Sequence, residues 1–312
     1  MRAAVIFGLG SYERDLKPFQ RDSDATWLIG LPANASEAHA ILIFGGDGTI
    51  HRHLAELVRL QLPVLVVPCG SGNDFARALN LAKVKDSQAA WRRFASGGGN
   101  VRAVDLGIIE PQGLKPSEFG RSDRSAEAPR HPNPSSPAPQ KHYFCCVGGV
   151  GLDAEVARRA NQLPRWLRGH GGYVLSFLPA LFKFAPVPMK ISVPSPANPG
   201  FFVAHSSQPT VLAAFANAPA YGGGMKIAPR AQMDDGLLDL CIISDINKFR
   251  LLCLFPTVYF GQHLSMEEVE YFQVERLRLE AERPLDVYAD GEYVCQTPIE
   301  VSIVPAALRV IV

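Results

Sequence analysis

The sequence predicts two domains of different class: an N-terminal parallel α/β domain and a C-terminal domain built mainly of strands. Two observations carry this. Between residues 40 and 81 the chain twice repeats an apolar run, a glycine-rich turn and a helical stretch. From about residue 186 onward, short apolar runs separated by turn residues take over. At 312 residues, 47% hydrophobic and 20% charged, the chain is long enough for both domains.

Composition narrows the function classes. A formal net charge of +1 gives no general attraction to nucleic acid, so none is expected as a partner. The six cysteines are scattered apart from the neighbours Cys145 and Cys146, with no zinc or disulfide spacing, which fits a reducing cytoplasm. The apolar run Met1 to Phe7 is too short for a leader and charged residues follow it. No apolar stretch reaches the roughly 18 residues that a membrane span needs.

In chain order, residues 2–7 and 25–29 read as the first strands, and Ala40 to Phe44 as the next. That third run opens into Gly45-Gly46-Asp47-Gly48-Thr49, followed by a helix from Ile50 to Leu60. Glycines in such a turn let backbone N–H groups approach a ligand, and beside a helix N-terminus they form a site for phosphate oxygens. Asp47, an acid inside that loop, would repel phosphate unless a metal or a proton donor stands between them. A plainer alternative is a tight turn with Asp47 or Thr49 capping the helix. Residues 62–67 read as the next buried strand and open into Gly70-Ser71-Gly72-Asn73-Asp74, with a helix from Asn73 to about Leu81. Both loops then sit at the carboxyl ends of parallel strands, where open α/β sheets bind ligands. Neither loop continues as a Walker A sequence.

A helix over 86–94 and a strand over 101–109 follow, the strand carrying Asp105. Residues 111–140, rich in Pro, Ser and charge, read as a disordered insertion inside a hairpin that returns at 141–147. Next come Gly148 to Ala154, a helix to about Asn161, and an aromatic stretch from Trp166 to Phe184 interleaved with Arg165, Arg168 and Lys183. That stretch reads either as a core helix or as a membrane-surface element whose basic residues meet lipid phosphates. Strands are expected at 189–193, 210–217, 268–280, 285–289, 299–304 and 308–312, with a helix over 247–263.

Together, GGDGT at 45–49 and GSGNDFAR at 70–77 resemble the diacylglycerol kinase catalytic-domain family, which includes bacterial lipid kinases and sphingosine and ceramide kinases. Further matches are the turn ending in Asp153-Ala154, Asn217 with Gly222 to Gly224 and Ala228-Pro229, Asp235-Gly236-Leu237, and Asp290-Gly291-Glu292. The loop Gly8-Leu9-Gly10-Ser11 stands where the family has an Asn-Pro type loop.

The resemblance implies an ATP-binding α/β domain over 1–105 plus about 297–312, and a C-terminal antiparallel β-sandwich over 106–296 that receives a lipid alcohol. Hinge motion is expected at about 105 and about 295. Gly45, Gly46, Asp47, Gly48, Thr49, Gly70, Ser71, Gly72, Asn73 and Asp74 would bind ATP, with Asp47 holding its Mg²⁺ directly or through water. Asp235, with backbone oxygens of Gln232 and Leu237, would hold a second Mg²⁺. Glu292 or Asp290 would take the proton of the acceptor hydroxyl, a choice the sequence leaves open. The implied activity is transfer of the γ-phosphoryl group to diacylglycerol or a similar lipid alcohol in phospholipid metabolism, by a cytoplasmic enzyme bound peripherally to the membrane. An exposed edge strand could pair two copies into a homodimer. Alternatives are an NAD kinase-like enzyme, against which the GSGNDFAR loop argues, and an inactive lipid- or nucleotide-binding relative.

Overall fold

The computed structural model of the chain describes residues 1–113, 141–163 and 172–312. Most of the expected insertion, and Arg165, Trp166 and Arg168, lie outside them. The N-terminal sheet has the order β2 (Thr26–Ile29), β1 (Arg2–Phe7), β3 (Ala40–Gly45), β4 (Val64–Pro68), all parallel. Every residue of β3 is buried, as expected of a parallel strand covered on both faces. The layers are supplied by α1 (Glu13–Arg21), α2 (Asp47–Leu60), α3 (Asp74–Ala78) and α4 (Val84–Ala95).

The second domain is a β-sandwich. One sheet runs β12 (Val269–Val274), β11 (Leu238–Ser244), β10 (Pro209–Ala216), β7 (Val147–Gly151), β14 (Asp286–Ala289), β15 (Glu292–Gln296). The other runs β9 (Phe202–Ser206), β8 (Val187–Pro194), β13 (Arg276–Ala281), β16 (Ile299–Ile311), β5 (Val101–Pro111), β6 (His142–Phe144). Between them lies an apolar core including Ile109, Phe144, Val150, Phe215, Leu240 and Val287. The outer face of the first sheet is covered by α5 (Leu152–Gln162), α6 (Gly172–Lys183) and α7 (Lys248–Val258), where Phe177 and Phe255 stack at 3.8 Å. Among the described residues no helix is long and apolar enough to cross a membrane.

Two strands belong to both domains. The first residues of β5 and the last of β16 extend the N-terminal sheet beside β4, and the rest of each lies in the sandwich. The return crossing therefore falls at 305–307, where the register shifts and Ala306 adopts φ 50°, and not at about 295. The reason is that Ile299 to Ser302 pair with β13 before the strand turns back. At the same level Asp105, buried, accepts the N–H groups of Ala306 (2.7 Å) and Gly236 (2.8 Å), while its own carbonyl accepts the Asn217 side-chain amide (2.8 Å).

Some elements differ from expectation. The helix expected over 50–60 begins at Asp47, so Asp47, Gly48 and Thr49 form its first turn. Helix α1 was not expected: it contains Pro18 and is mostly charged, and only Leu16 and Phe19 anchor it. The strand expected over 268–280 is two strands, parted at Glu275. The helix expected over 247–263 ends at Val258, and a short 3₁₀ turn over Gln262–Ser265 follows.

Candidate active site

A cleft of about 480 Å³ separates the ends of β3 and β4 from the sandwich. Its lining brings together Gly46, Asp47, Gly48, Thr49, Gly70, Ser71, Gly72 and Asp74 from one side with Asp290, Gly291 and Glu292 from the other. Leu9 and Gly10, from the loop that departs from the family pattern, also line it. That loop is pinned by Ser11, whose hydroxyl donates to the carbonyls of Gly8 and Phe44.

The two glycine loops build each other. A Cβ on Gly46 would collide with the carbonyl of Gly72, and the Asp47 N–H donates to that same carbonyl at 3.0 Å. Asn73 closes the second loop onto Gly70, accepting its N–H and donating to its carbonyl at 2.7 Å. Ser71 is exposed at the tip. The N-terminus of α2 points its partial positive charge at this space, which suits phosphate. Gly45 lies behind it, its Cα facing Thr49 so closely that a Cβ would meet Oγ1 at 2.6 Å.

Asp47 does not point freely into the cleft. Its two oxygens accept the N–H groups of Asp74 (2.9 Å) and Phe75 (3.1 Å), so it caps α3 and fixes the second loop. Burial, with Asp74 beside it, pushes its carboxyl up to about 7 despite those two donors. Each Asp47 oxygen thus accepts one N–H and keeps a second lone pair free. Asp74 pairs with Arg77 at 2.5 Å and accepts the N–H of Gly223 at 2.9 Å, reaching across to the sandwich.

The Asp-Gly-Glu turn divides its two acids between different tasks. Asp290 sits at φ 50°. One of its oxygens accepts the Cys146 N–H (2.8 Å); the other accepts the Cys145 N–H (2.9 Å) and lies 3.0 Å from Nδ1 of His51. Its carboxylate is thus fully engaged. Among the described residues Glu292 makes no side-chain hydrogen bond, and its Oε1 lies over Gly48 in the first turn of α2. Of the two candidate bases, Glu292 is the one with free acceptor capacity facing the phosphate loop.

Beside this polar cleft lies an apolar pocket between α5, α6, α7 and the sheet, lined by Val156, Phe177, Leu212, Ile243, Leu251 and Leu254 among others. Tyr221 lines both spaces, and its hydroxyl donates to the buried Asp153, whose carboxyl burial pushes up to about 6. In the Asp-Gly-Leu loop, Asp235 accepts the Leu237 N–H (3.0 Å) and the Gln273 side-chain amide (3.1 Å), which also reaches Asp239 (3.3 Å). Gln232 is exposed in the same loop. The carboxylates of Asp235 and Asp239 are hard oxygen donors of the kind Mg²⁺ takes. His51, Tyr221 and the amides of Cys145 and Cys146 are site components that the sequence did not single out; each acts through a partner far away in the chain.

Both domains have counterparts among known proteins. Residues 8–109 match the diacylglycerol kinase catalytic domain, and residues 147–312 the YegS C-terminal NAD kinase beta sandwich-like domain. A diacylglycerol kinase of Mycobacterium tuberculosis (strain H37Rv) is 32% identical over 288 residues, covering 92% of this chain and 81% of that protein. A diacylglycerol kinase structure from Bacillus anthracis superposes with a TM-score of 0.63 at 16% identity, covering 99% of this chain and 96% of that one. An NAD kinase from Archaeoglobus fulgidus, solved in complex with ATP, gives 0.52 at 14% identity, covering 100% and 94%. These two likenesses bear on the fold alone. The matched domains between them carry both glycine loops and the Asp-Gly-Glu turn, and the chain belongs to the diacylglycerol kinase catalytic-domain family of lipid kinases.

Proposed function

We propose that the protein transfers the γ-phosphoryl group of ATP to the hydroxyl of diacylglycerol or a similar membrane lipid alcohol. The observation that carries this reading is the adjacency of two unlike spaces: Tyr221 lines both the phosphate cleft and the apolar pocket. A substrate with a hydroxyl at one end and acyl chains at the other suits such a junction.

The chemistry follows from the side chains. The γ-phosphoryl group lies at the N-terminus of α2, between the loops at 45–49 and 70–74, where backbone N–H groups offset its charge. The lipid hydroxyl approaches from the Tyr221 side. Glu292 accepts its proton as the new O–P bond forms and the bond to ADP breaks. Asp290 holds the turn that carries Glu292. Mg²⁺ supplies charge neutralisation; Asp235, with the backbone oxygens of Gln232 and Leu237, would hold one such ion away from the cleft.

A bilayer is the partner this reading requires. Helix α6 exposes Leu175, Leu178 and Phe182 in one stripe, and Phe249 at the start of α7 is 80% exposed beside them, tied in by the Lys248 ammonium bonding the Phe182 carbonyl at 2.7 Å. Lys183 and Lys248 flank these apolar side chains. That is the pattern of an interfacial helix meeting anionic lipid, on the helices that wall the apolar pocket.

The test is a radiolabelled ATP transfer assay with Mg²⁺ and a panel of lipid alcohols in mixed micelles, with NAD as a control acceptor. The wild type should label a lipid. Glu292→Gln should lose on the order of 10²–10⁴ of the turnover while still binding ATP. Labelling of NAD alone, or full activity in Glu292→Gln, would overturn the reading. Sedimentation with vesicles containing phosphatidylglycerol, comparing wild type with Phe182→Ser/Phe249→Ser, tests the bilayer contact; equal binding would remove it.

A further inference from the structure

Among the described residues two polar ties bridge the cleft. On one side Asp74 accepts the Gly223 N–H. On the other, His51 meets Asp290, 239 residues away in the chain. His51 lies one helical turn beyond Asp47 on α2, so it belongs to the nucleotide domain, and Asp290 belongs to the turn between β14 and β15 of the sandwich. The His51 side chain is 13% exposed and the Asp290 carboxylate is fully buried. The other hydrogen-bond partners of that carboxylate, at Cys145 and Cys146, lie in the sandwich itself. Among the described residues His51 alone connects it to the opposite wall.

We propose that His51 is a positioning residue for phosphoryl transfer: its imidazolium clamps the Asp290–Glu292 turn onto the first turns of α2 and so keeps the Glu292 carboxylate over Gly48. The assignment rests on the lipid-kinase reading for its catalytic consequence, though the clamp is a feature of the two domains alone.

The charges around the ring favour the protonated form. Asp290 and Glu292 face it from the β14–β15 turn, and Cys145 touches the same Asp290 oxygen. Arg52 on α2 and His142 on β6 oppose it. Burial also disfavours the charge, yet the bond and the charges of the two acids outweigh these, and His51 titrates above its ordinary value of 6.5. The sign follows. A histidine raised in the folded state contributes its full tie below about 6.5 and loses it as pH rises through the folded value. Above that value a neutral imidazole keeps the hydrogen bond to Asp290 but not the charge, so the hold on the Glu292 turn weakens at alkaline pH.

Two measurements decide this. The first is the NMR titration of the His51 imidazole in the unliganded protein, assigned by its absence in His51→Asn. It should fall above 6.5 in the wild type and return toward 6.5 in Asp290→Asn. A ring titrating at or below 6.5 would overturn the clamp whatever the protein's activity. The second is kcat and KM from about pH 5.5 to 9 for wild type, His51→Asn and His51→Ala. The wild type should lose kcat at alkaline pH through the NMR value, with KM for ATP little changed. His51→Asn, an uncharged donor of similar reach, should lack that limb and hold kcat near the level the wild type reaches at alkaline pH, and His51→Ala should fall about tenfold at neutral pH. An alkaline limb that persists in His51→Asn would reject the positioning role. If the wild type phosphorylates no lipid, the kinase reading fails, and the NMR titration still decides the clamp.

Discussion

Glu292 and Gly48 approach so closely that a Cβ on the glycine would stand 2.6 Å from the Glu292 Oε1. The contact spans the cleft and constrains both sides. Gly48 is the second residue of α2 and has no left-handed φ, so its backbone accepts alanine, which favours the helix by up to about 1 kcal/mol. The glycine leaves space for a carboxylate. Gly48→Ala is expected to melt at or above the wild-type temperature while kcat falls about tenfold or more, because the base is displaced from its working position. Thermal melts beside steady-state kinetics check this. Wild-type kcat in the variant would show that Glu292 does not act from above α2.

Asp105 sits where the two domains exchange strands, and two main-chain N–H groups depend on it. Asp105→Ala leaves both without their partner and is expected to cost about 2–4 kcal/mol in urea unfolding. One of those donors belongs to Ala306, whose φ of 50° is unfavourable for a residue with a Cβ by roughly 1–2 kcal/mol. Ala306→Gly keeps the hydrogen bond and relieves that conformation, so it should raise the midpoint, less the entropy a glycine adds to the unfolded chain. Should Ala306→Gly destabilise instead, contacts of the Ala306 methyl outweigh the backbone term.

Asp153 gives a pH signature. Burial outweighs the hydrogen bond donated by Tyr221 and pushes its carboxyl up to about 6. The folded protein then holds this proton more tightly than the unfolded chain, whose aspartates titrate at about 4. Its contribution to stability therefore declines as pH rises from about 4 through about 6 and is constant above. Asp153→Asn mimics the protonated group and carries no such slope. The stability of Asp153→Asn relative to wild type should rise across that window and level off near pH 7. Melting curves from pH 4 to 8 measure it, and a constant difference would mean that Asp153 titrates like a solvated acid.

The glycine loops were legible in the sequence because the residues that form them are neighbours: Gly45 to Thr49 and Gly70 to Asn73 each close within one turn. What the chain order hid was pairing over distance. Nothing near His51 announces an acid 239 residues on, and nothing near Asp105 announces that Ala306 will need an acceptor. The division of labour between Asp290 and Glu292 was equally hidden, since it is set by the amides of Cys145 and Cys146. Helix α1 escaped because its apolar face is only two buried residues wide and Pro18 lies inside it. The boundary near 295 moved because a single strand, β16, serves both sheets, and hydrophobic periodicity cannot mark a change of partner within one continuous strand.

The shared strand also sets an order of events during synthesis. The nucleotide sheet borrows its next strand from Leu308 to Ile311, and Asn100 is joined to Val312 by a reciprocal pair, its side-chain amide donating to the Val312 carbonyl and its own carbonyl accepting the Val312 N–H. On a ribosome the first hundred residues emerge long before these do. Until then β4 has an open edge, and the emerging chain must keep that edge from pairing elsewhere. The nucleotide domain is thus begun before the sandwich and completed after it, and removing residues 308–312 should unsettle the phosphate loops at 45–49 and 70–74.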